Sequence, residues 1–254
     1  MNYPVLDFDK YGEEIIKASN VKKKIEGFPE IVINVFSRKI LNTWIAKDNT
    51  KIVGFHSSAN GKEAVYSTIY KNQEIGFTIA PIGAPLCVGV GEDLLAMGAK
   101  KLVYFGSCGV LDSTIKENEI IIPNRAIRDE GTSYHYQEAS IYNYMPNETL
   151  ETVKEVLDRF NYSYIETTCW TTDAFYRETK DIMEIRKNQG AKVVDMETSA
   201  LIAFSTFRNI KYAHFMYSAD NLDSNKWQSR SLSDQGLNYS DKYMYLAFEI
   251  GINL

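Results

Sequence analysis

The feature that most constrains the fold is a recurring unit: a short β-branched apolar run, a turn, then apolar residues at helical spacing. Residues 31–36 read IVINVF, a run so uniformly apolar that a strand built from it must be buried on both faces. A second strand is expected over 75–80. Pro81-Ile82-Gly83-Ala84-Pro85 interrupts it, and 86–97 then reads as a helix closed by Gly98. KLVYF at 101–105 is another buried strand, closed by Gly106-Ser107-Cys108-Gly109, and 119–122 is one more before Pro123. A polar, tyrosine-rich loop is expected over 128–144.

Downstream the alternation continues. Helices are expected over 149–160, 179–189, 198–208 and 240–250, with strands over 162–168, 192–194 and 212–217 between them. This pattern predicts an α/β fold, a three-layer α/β/α arrangement around a central mixed, largely parallel sheet. No fixed-period repeat and no Pro-, Gly- or Ser-rich linker divides the chain, so one domain is expected over 1–254, with its core at about 30–250.

Composition narrows the function. The 254 residues carry 28 Lys+Arg against 33 Asp+Glu, a net charge of −5, which argues against a basic nucleic-acid reader. At 44% hydrophobic and 24% charged, the chain is too apolar for intrinsic disorder. The three cysteines, Cys87, Cys108 and Cys169, are too far apart for a CxxC site and are odd in number, so a reducing, cytoplasmic setting is expected. Residues 1–14 lack the pattern of a signal peptide, and no apolar run is long enough to span a membrane. No membrane partner is expected.

In open α/β sheets ligands bind at the carboxyl ends of strands, so the turns there carry the candidate chemistry. Gly106-Ser107-Cys108-Gly109 offers backbone amides and one hydroxyl to an anion, or is simply a tight turn. Asp195 and Glu197 flank Met196. In extended geometry both carboxylates face one side and can hold vicinal hydroxyls; alternatively they cap the following helix. Asp220 follows an apolar strand, where a desolvated carboxyl can act as a proton donor or form an Asx turn. Phe175 can stack on a heteroaromatic ring or belong to the core. The three histidines, His56, His135 and His214, lack metal-motif spacing, and no serine triad is recognisable. His214 reads as a core residue, whereas His135 lies in a polar cluster suited to a cleft or a subunit contact.

Taken in order, several stretches resemble the nucleoside phosphorylase family of purine nucleoside phosphorylases, uridine phosphorylases and methylthioadenosine nucleosidases. They are Ile82 with Pro85, Leu94-Leu95-Ala96-Met97-Gly98-Ala99-Lys100-Lys101, Gly106-Ser107-Cys108-Gly109-Val110-Leu111, Asp173-Ala174-Phe175-Tyr176, and Val194-Asp195-Met196-Glu197-Thr198-Ser199-Ala200-Leu201. The resemblance implies a nucleoside phosphorylase-like fold, a homo-oligomer (a dimer, or a hexamer built from dimers), and inorganic phosphate as co-substrate with no cofactor and no metal. It implies that Ser107 and the amides near Cys108 and Gly109 hold phosphate, with Arg38 as a further ligand. Met196 packs on the sugar, and Glu197, beside Asp195, binds the ribose hydroxyls. Phe175 faces the base and Asp220 protonates purine N7. The expected reaction is phosphorolysis of a ribonucleoside, purine ahead of uridine; the alternatives are a hydrolytic nucleosidase and a weakened nucleoside-binding homologue. Two departures bear on this. Tyr104 stands where phosphorylases carry an arginine, and Thr179 and Asp181 stand where uridine phosphorylases present Gln and Arg.

Overall fold

The computed structural model describes residues 3–59 and 61–254; Met1 and Asn2, part of the acidic N-terminal stretch, lie outside the described residues. A single turn, α1 (Ala18–Val21), precedes β1 (Ile31–Val35) and α2 (Arg38–Ile45). β2 (Lys51–Ser58), β3 (Gly61–Tyr70) and β4 (Gln73–Ile79) follow, then α3 (Ala84–Met97), β5 (Lys101–Val110) and β6 (Ile120–Asp129). The chain continues through β7 (Tyr142–Tyr144), α4 (Asn147–Arg159), β8 (Tyr164–Thr172), α5 (Lys180–Asn188), β9 (Ala191–Asp195), α6 (Thr198–Arg208), β10 (Lys211–Asn221) and α7 (Ser240–Asn253).

All ten strands join one mixed sheet in the order β10-β6-β8-β9-β5-β1-β4-β3-β2, with β7 on β6 and a further pairing of β10 with β5. That last pairing closes five strands into a ring, and β1, β4, β3 and β2 extend from it as a flap. The long registers through the middle, β1–β4, β1–β5, β5–β10 and β6–β8, are parallel. Antiparallel pairing is confined to the β2–β3–β4 edge, to short two-residue joints at β10–β6 and β5–β9, and to β7.

Every residue of β1 is buried, as its composition requires. Alternation along β5 sends successive side chains to opposite helix layers. A Cβ on Gly91 of α3 would meet Phe204 of α6 at 2.8 Å and the Tyr104 hydroxyl at 3.2 Å, so Tyr104 faces the α3–α6 layer. Val103 faces the other way, against Gly251 of α7. The helix-bearing layers are therefore α3 with α6 on one face, and α7, packed on α4, on the other.

The structure differs from the expected elements in ways that have physical causes. Residues 106–109 form no turn: they continue β5, because β10 pairs alongside and β9 joins at Gly109 and Val110. β6 runs on through Pro123, whose missing N–H is absorbed by a register shift between Pro123 and Arg125. The expected loop over 128–144 begins inside β6 and ends in β7. Its middle is folded onto the buried Arg128, which donates to Ser133 and Ser140 hydroxyls and to the Glu138 and Gln137 carbonyls.

Candidate active site

The sheet makes the cleft. β1 pairs with β5 only as far as Val35 opposite Phe105, with one further bond from the Phe36 N–H to the Phe105 carbonyl at 3.1 Å. Beyond that point β5 leans away toward β9, so a gap opens between the end of β1 and the upper half of β5. Gly106 permits the departure: a Cβ there would lie 2.7 Å from Phe36 Cβ. The gap is a cleft of about 750 Å³ whose lining includes Phe36, Ser107, Phe175, Met196, Glu197 and Asp220.

Cys108, Gly109 and Asp195 also line it. Eight of the turn, sugar and base residues expected from sequence therefore meet in one cavity, although they come from β5, β9, β10 and two loops. Ser107 is exposed to the cleft while Cys108 is buried. Burial pushes the Cys108 thiol well above its ordinary value, so it is no nucleophile. Phe175 is 49% exposed, its ring tilted by 42° against that of Tyr176 with centroids 4.1 Å apart, and so belongs to the rim rather than the core.

Asp220 sits in the register shift of β10 between Ser218 and Asn221, a β-bulge. Bulges re-aim side chains, and this one turns Asp220 into the cleft. Trp227 Nε1–H donates to Asp220 Oδ2 at 2.7 Å. Gly109 makes room for it, since a Cβ there would meet Leu222 at 2.8 Å, Val194 at 2.9 Å and Asp220 Oδ1 at 3.4 Å.

Asp195 and Glu197 do not share a role. β9 ends at Asp195, so strand alternation does not reach Glu197. Asp195 Oδ2 accepts from the Thr198 amide at 2.8 Å, the Thr198 hydroxyl at 2.6 Å and the Glu197 amide at 3.2 Å. Oδ1 accepts from the Thr171 hydroxyl at 2.8 Å and the Cys169 thiol at 3.2 Å. Asp195 thus ties the end of β9 to the first turn of α6, with both oxygens already accepting bonds from within the protein, although it also lines the cleft beside Glu197. Glu197 is instead held from outside, by the Gly83 N–H at the start of α3, 2.6 Å from Oε1. Burial, and then the Asp195 charge, raise the Glu197 carboxyl to about 8, against the pull of the Gly83 and Met196 amides.

His214 is buried, as expected of a core residue, and its ring also lines the cleft. The Thr198 hydroxyl spends its proton on Asp195, so at 3.1 Å it accepts from His214 Nδ1–H, which fixes the tautomer. Desolvation holds His214 down to about 4, so the ring is neutral.

Arg38, expected to be a phosphate ligand, is not among the residues that line the cleft. Its guanidinium forks onto Glu63 of β3, Nη2 to Oε1 at 2.6 Å and Nη1 to Oε2 at 3.0 Å. Tyr104 is in the core, 1% exposed. His135 is exposed on its loop and away from the cleft lining. Among the described residues, no group of three or more His, Cys, Asp or Glu is placed to hold a metal ion.

A model of the phosphorylase superfamily matches residues 39–240. The chain belongs to that superfamily. An uncharacterized protein of Acanthamoeba polyphaga mimivirus is 33% identical to this phosphorylase-superfamily chain over 163 residues, 63% of this chain and 62% of that protein. A DeoD-type purine nucleoside phosphorylase of Buchnera aphidicola from Schizaphis graminum is 28% identical over 144 residues, 54% of this chain and 59% of the enzyme. The chain thus matches about three fifths of the length of these relatives. The crystal structure of a uridine phosphorylase from Vibrio fischeri superposes with a TM-score of 0.74 at 22% identity, over 96% of this chain and all of that one, which fixes the shared fold.

Among the lining residues of this superfamily member that sequence reasoning missed are Glu178, Lys180 and Trp227. Glu178 and Lys180 lie one residue before Thr179 and Asp181, the two departures from the uridine phosphorylase pattern. Burial and then the neighbouring Asp220 charge push Glu178 up to about 7. The signal available was proximity to Phe175 alone; Trp227 had none, because it arrives on the loop after β10.

Proposed function

We propose that this cleft cleaves the N-glycosidic bond of a ribonucleoside, with purines ahead of uridine. One observation carries the reading: Glu197 and Asp220, from separate strand ends, line the same cavity as Met196, Ser107 and Phe175. Breaking the bond between C1′ and the base nitrogen leaves positive charge on the sugar and negative charge on the base. Glu197 binds the ribose 2′ and 3′ hydroxyls and faces the developing cation, with Met196 packed on the sugar. Asp220 gives its proton to purine N7 as the electron pair passes to the base, and Phe175 stacks on the ring. Complementarity to both ends of the separated charge is where the rate comes from.

Family phosphorylases use inorganic phosphate as the acceptor and need no cofactor. Here Ser107 with the backbone at Cys108 and Gly109 forms the acceptor end. A second reading, water as acceptor, is favoured by one observation: Lys180 is the one Lys or Arg among the lining residues, since Arg38 is committed to Glu63 and Tyr104 replaces the arginine. A phosphate dianion without a guanidinium fork lacks its strongest charge-assisted bonds.

The test is incubation with inosine, adenosine and uridine, with and without phosphate, and identification of the sugar product. Ribose 1-phosphate supports phosphorolysis, and free ribose formed equally without phosphate supports hydrolysis. Binding without turnover of any nucleoside overturns the enzymatic reading. Asp220→Asn slows purine cleavage by roughly 10²–10⁴ with binding little changed; an unchanged rate removes Asp220 from the acid role.

A further inference from the structure

His214 lines the cleft, yet neither the sugar contacts nor the base contacts use it. Its Nδ1–H is spent on the Thr198 hydroxyl at 3.1 Å, and Thr198 follows Glu197 directly, so the ring is tied to the wall that carries the sugar carboxyl. β10 pairs His214 with Tyr104 and Tyr217 with Ser107, which places the ring three residues before the level of Ser107. Phe36, at the point where β1 and β5 part, lies 6.2 Å away between ring centroids. His214 thus links the wall bearing Glu197 to the strand bearing Ser107.

With the proton on Nδ1, Nε2 carries the lone pair, and Nε2 makes no hydrogen bond among the described residues. A free lone pair in a partly desolvated cleft is satisfied by a donor. Water and phosphate differ in this respect. Water gives one O–H to Nε2 and keeps its own lone pair for the sugar. Phosphate presents chiefly acceptor oxygens, and the rings packed around His214, those of Phe36, Tyr104 and Tyr212, supply no cation to hold it. The charge that acts on the imidazole is that of Asp195, an anion, and desolvation still keeps the ring neutral, at about 4.

We infer that His214 is a catalytic residue of this cleft, accepting a hydrogen bond at Nε2 from the water that attacks C1′, so that the cleft hydrolyses its nucleoside. The inference rests on the nucleoside-cleaving reading and deepens it by naming water as the acceptor. As the C1′–N9 bond breaks, its electron pair passes to the base and the Asp220 proton moves to N7. The water oxygen bonds to C1′, and the proton it sheds passes to Nε2 and from there to solvent. Solvent returns a proton to Asp220, and the products are the neutral base and free ribose. A water joined to a sugar cation is a far stronger acid than an imidazolium, so a weakly basic ring suffices as its base.

The test measures the sugar product from adenosine, inosine and uridine, with and without inorganic phosphate, in wild type, His214→Phe and His214→Gln. Wild type should release free ribose at the same rate in both conditions. His214→Phe keeps a ring and removes the lone pair, so kcat should fall about 100-fold while KM for the nucleoside holds. His214→Gln, whose amide oxygen can reach the position of Nε2, should keep about a tenth of the rate or more. Ribose 1-phosphate as the wild-type product overturns the inference and leaves the cleaving reading standing, whereas cleavage of no nucleoside overturns both. An unchanged kcat in His214→Phe removes His214 from the reaction. Equal losses in the two variants, with KM rising as kcat falls, make the ring structural and also overturn the inference. If His214→Phe does not fold, the wild-type product and the Gln variant still decide.

Discussion

The backbone N–H of Gly83 donates to Glu197 Oε1 at 2.6 Å, joining residues 114 positions apart in the chain. The bond brings the N-terminus of α3 to the carboxyl proposed to hold the sugar, where the helix dipole and a free amide both favour negative charge. Gly83 has φ +96°, a conformation L residues rarely adopt, while an added Cβ would find open space. Gly83→Ala therefore meets strain and no clash. It should cost about 1–2 kcal/mol of stability and turn the amide away from Glu197. A fall in kcat/KM on the order of tenfold is expected, the worth of one hydrogen bond; wild-type kinetics with lost stability would show that the amide does not orient Glu197.

Glu197 is held protonated in the fold over a pH range in which an unfolded glutamate is ionised. Its raised value means that its stabilisation is complete below about pH 4.5 and is lost as pH rises through about 8. Glu197→Gln stays neutral throughout. The variant should therefore gain on wild type from pH 5 to pH 8.5, by several degrees in Tm, at about 2–4 °C per kcal/mol for a chain of this size. The same substitution should lower kcat/KM by roughly 100-fold, because an amide cannot ionise to face the cation that develops on the sugar. Melting curves that shift in parallel at every pH would contradict the buried, titrating carboxyl.

How much of this was legible in the sequence depended on burial. β1, β5, α3, α6 and α7 follow from apolar periodicity because tertiary packing and local pattern agree there. The β2–β3 edge did not show itself. Lys51–Ser58 is mostly exposed, with Gly54 and His56 its buried positions, so no apolar alternation marks it as a strand. The Arg38–Glu63 pair was hidden by that same gap, since Glu63 lies on the unrecognised β3. That Ser107, Met196, Glu197, Phe175 and Asp220 share one cleft could be expected from their place at strand ends and in the ordered motifs. Glu178 and Trp227 could not, because what sets them in the cleft is the route of two loops.

If Arg38 is held by Glu63 outside the cleft, its removal leaves the acceptor end untouched. Arg38→Ala should leave both the sugar product and any dependence of rate on phosphate concentration unchanged. Its stability cost should be about 0–1 kcal/mol, that of an exposed ion pair, consistent with side chains 48% and 41% exposed. A several-fold rise in the phosphate concentration needed for half-maximal rate would return Arg38 to the site and require the Glu63 fork to open when phosphate binds.

Asp195 gives the sharpest contrast with its neighbour, since both acids line one cleft and only one is free to meet a substrate. Its two oxygens accept from Thr171, Cys169, Glu197 and, twice, Thr198, all buried. In Asp195→Asn one of those oxygens becomes an NH₂, which faces donors and can satisfy none of them. The helix start and the strand end then lose a shared anchor, and the proton that Thr198 now places on Asp195 has no acceptor. A loss of about 2–4 kcal/mol in urea unfolding is expected, whereas Glu197→Gln is stability-neutral or stabilising above neutrality. An Asp195→Asn protein that unfolds like wild type but binds 2′-deoxynucleosides and ribonucleosides equally would reverse the assignment, taking the sugar contact from Glu197 and giving it to Asp195.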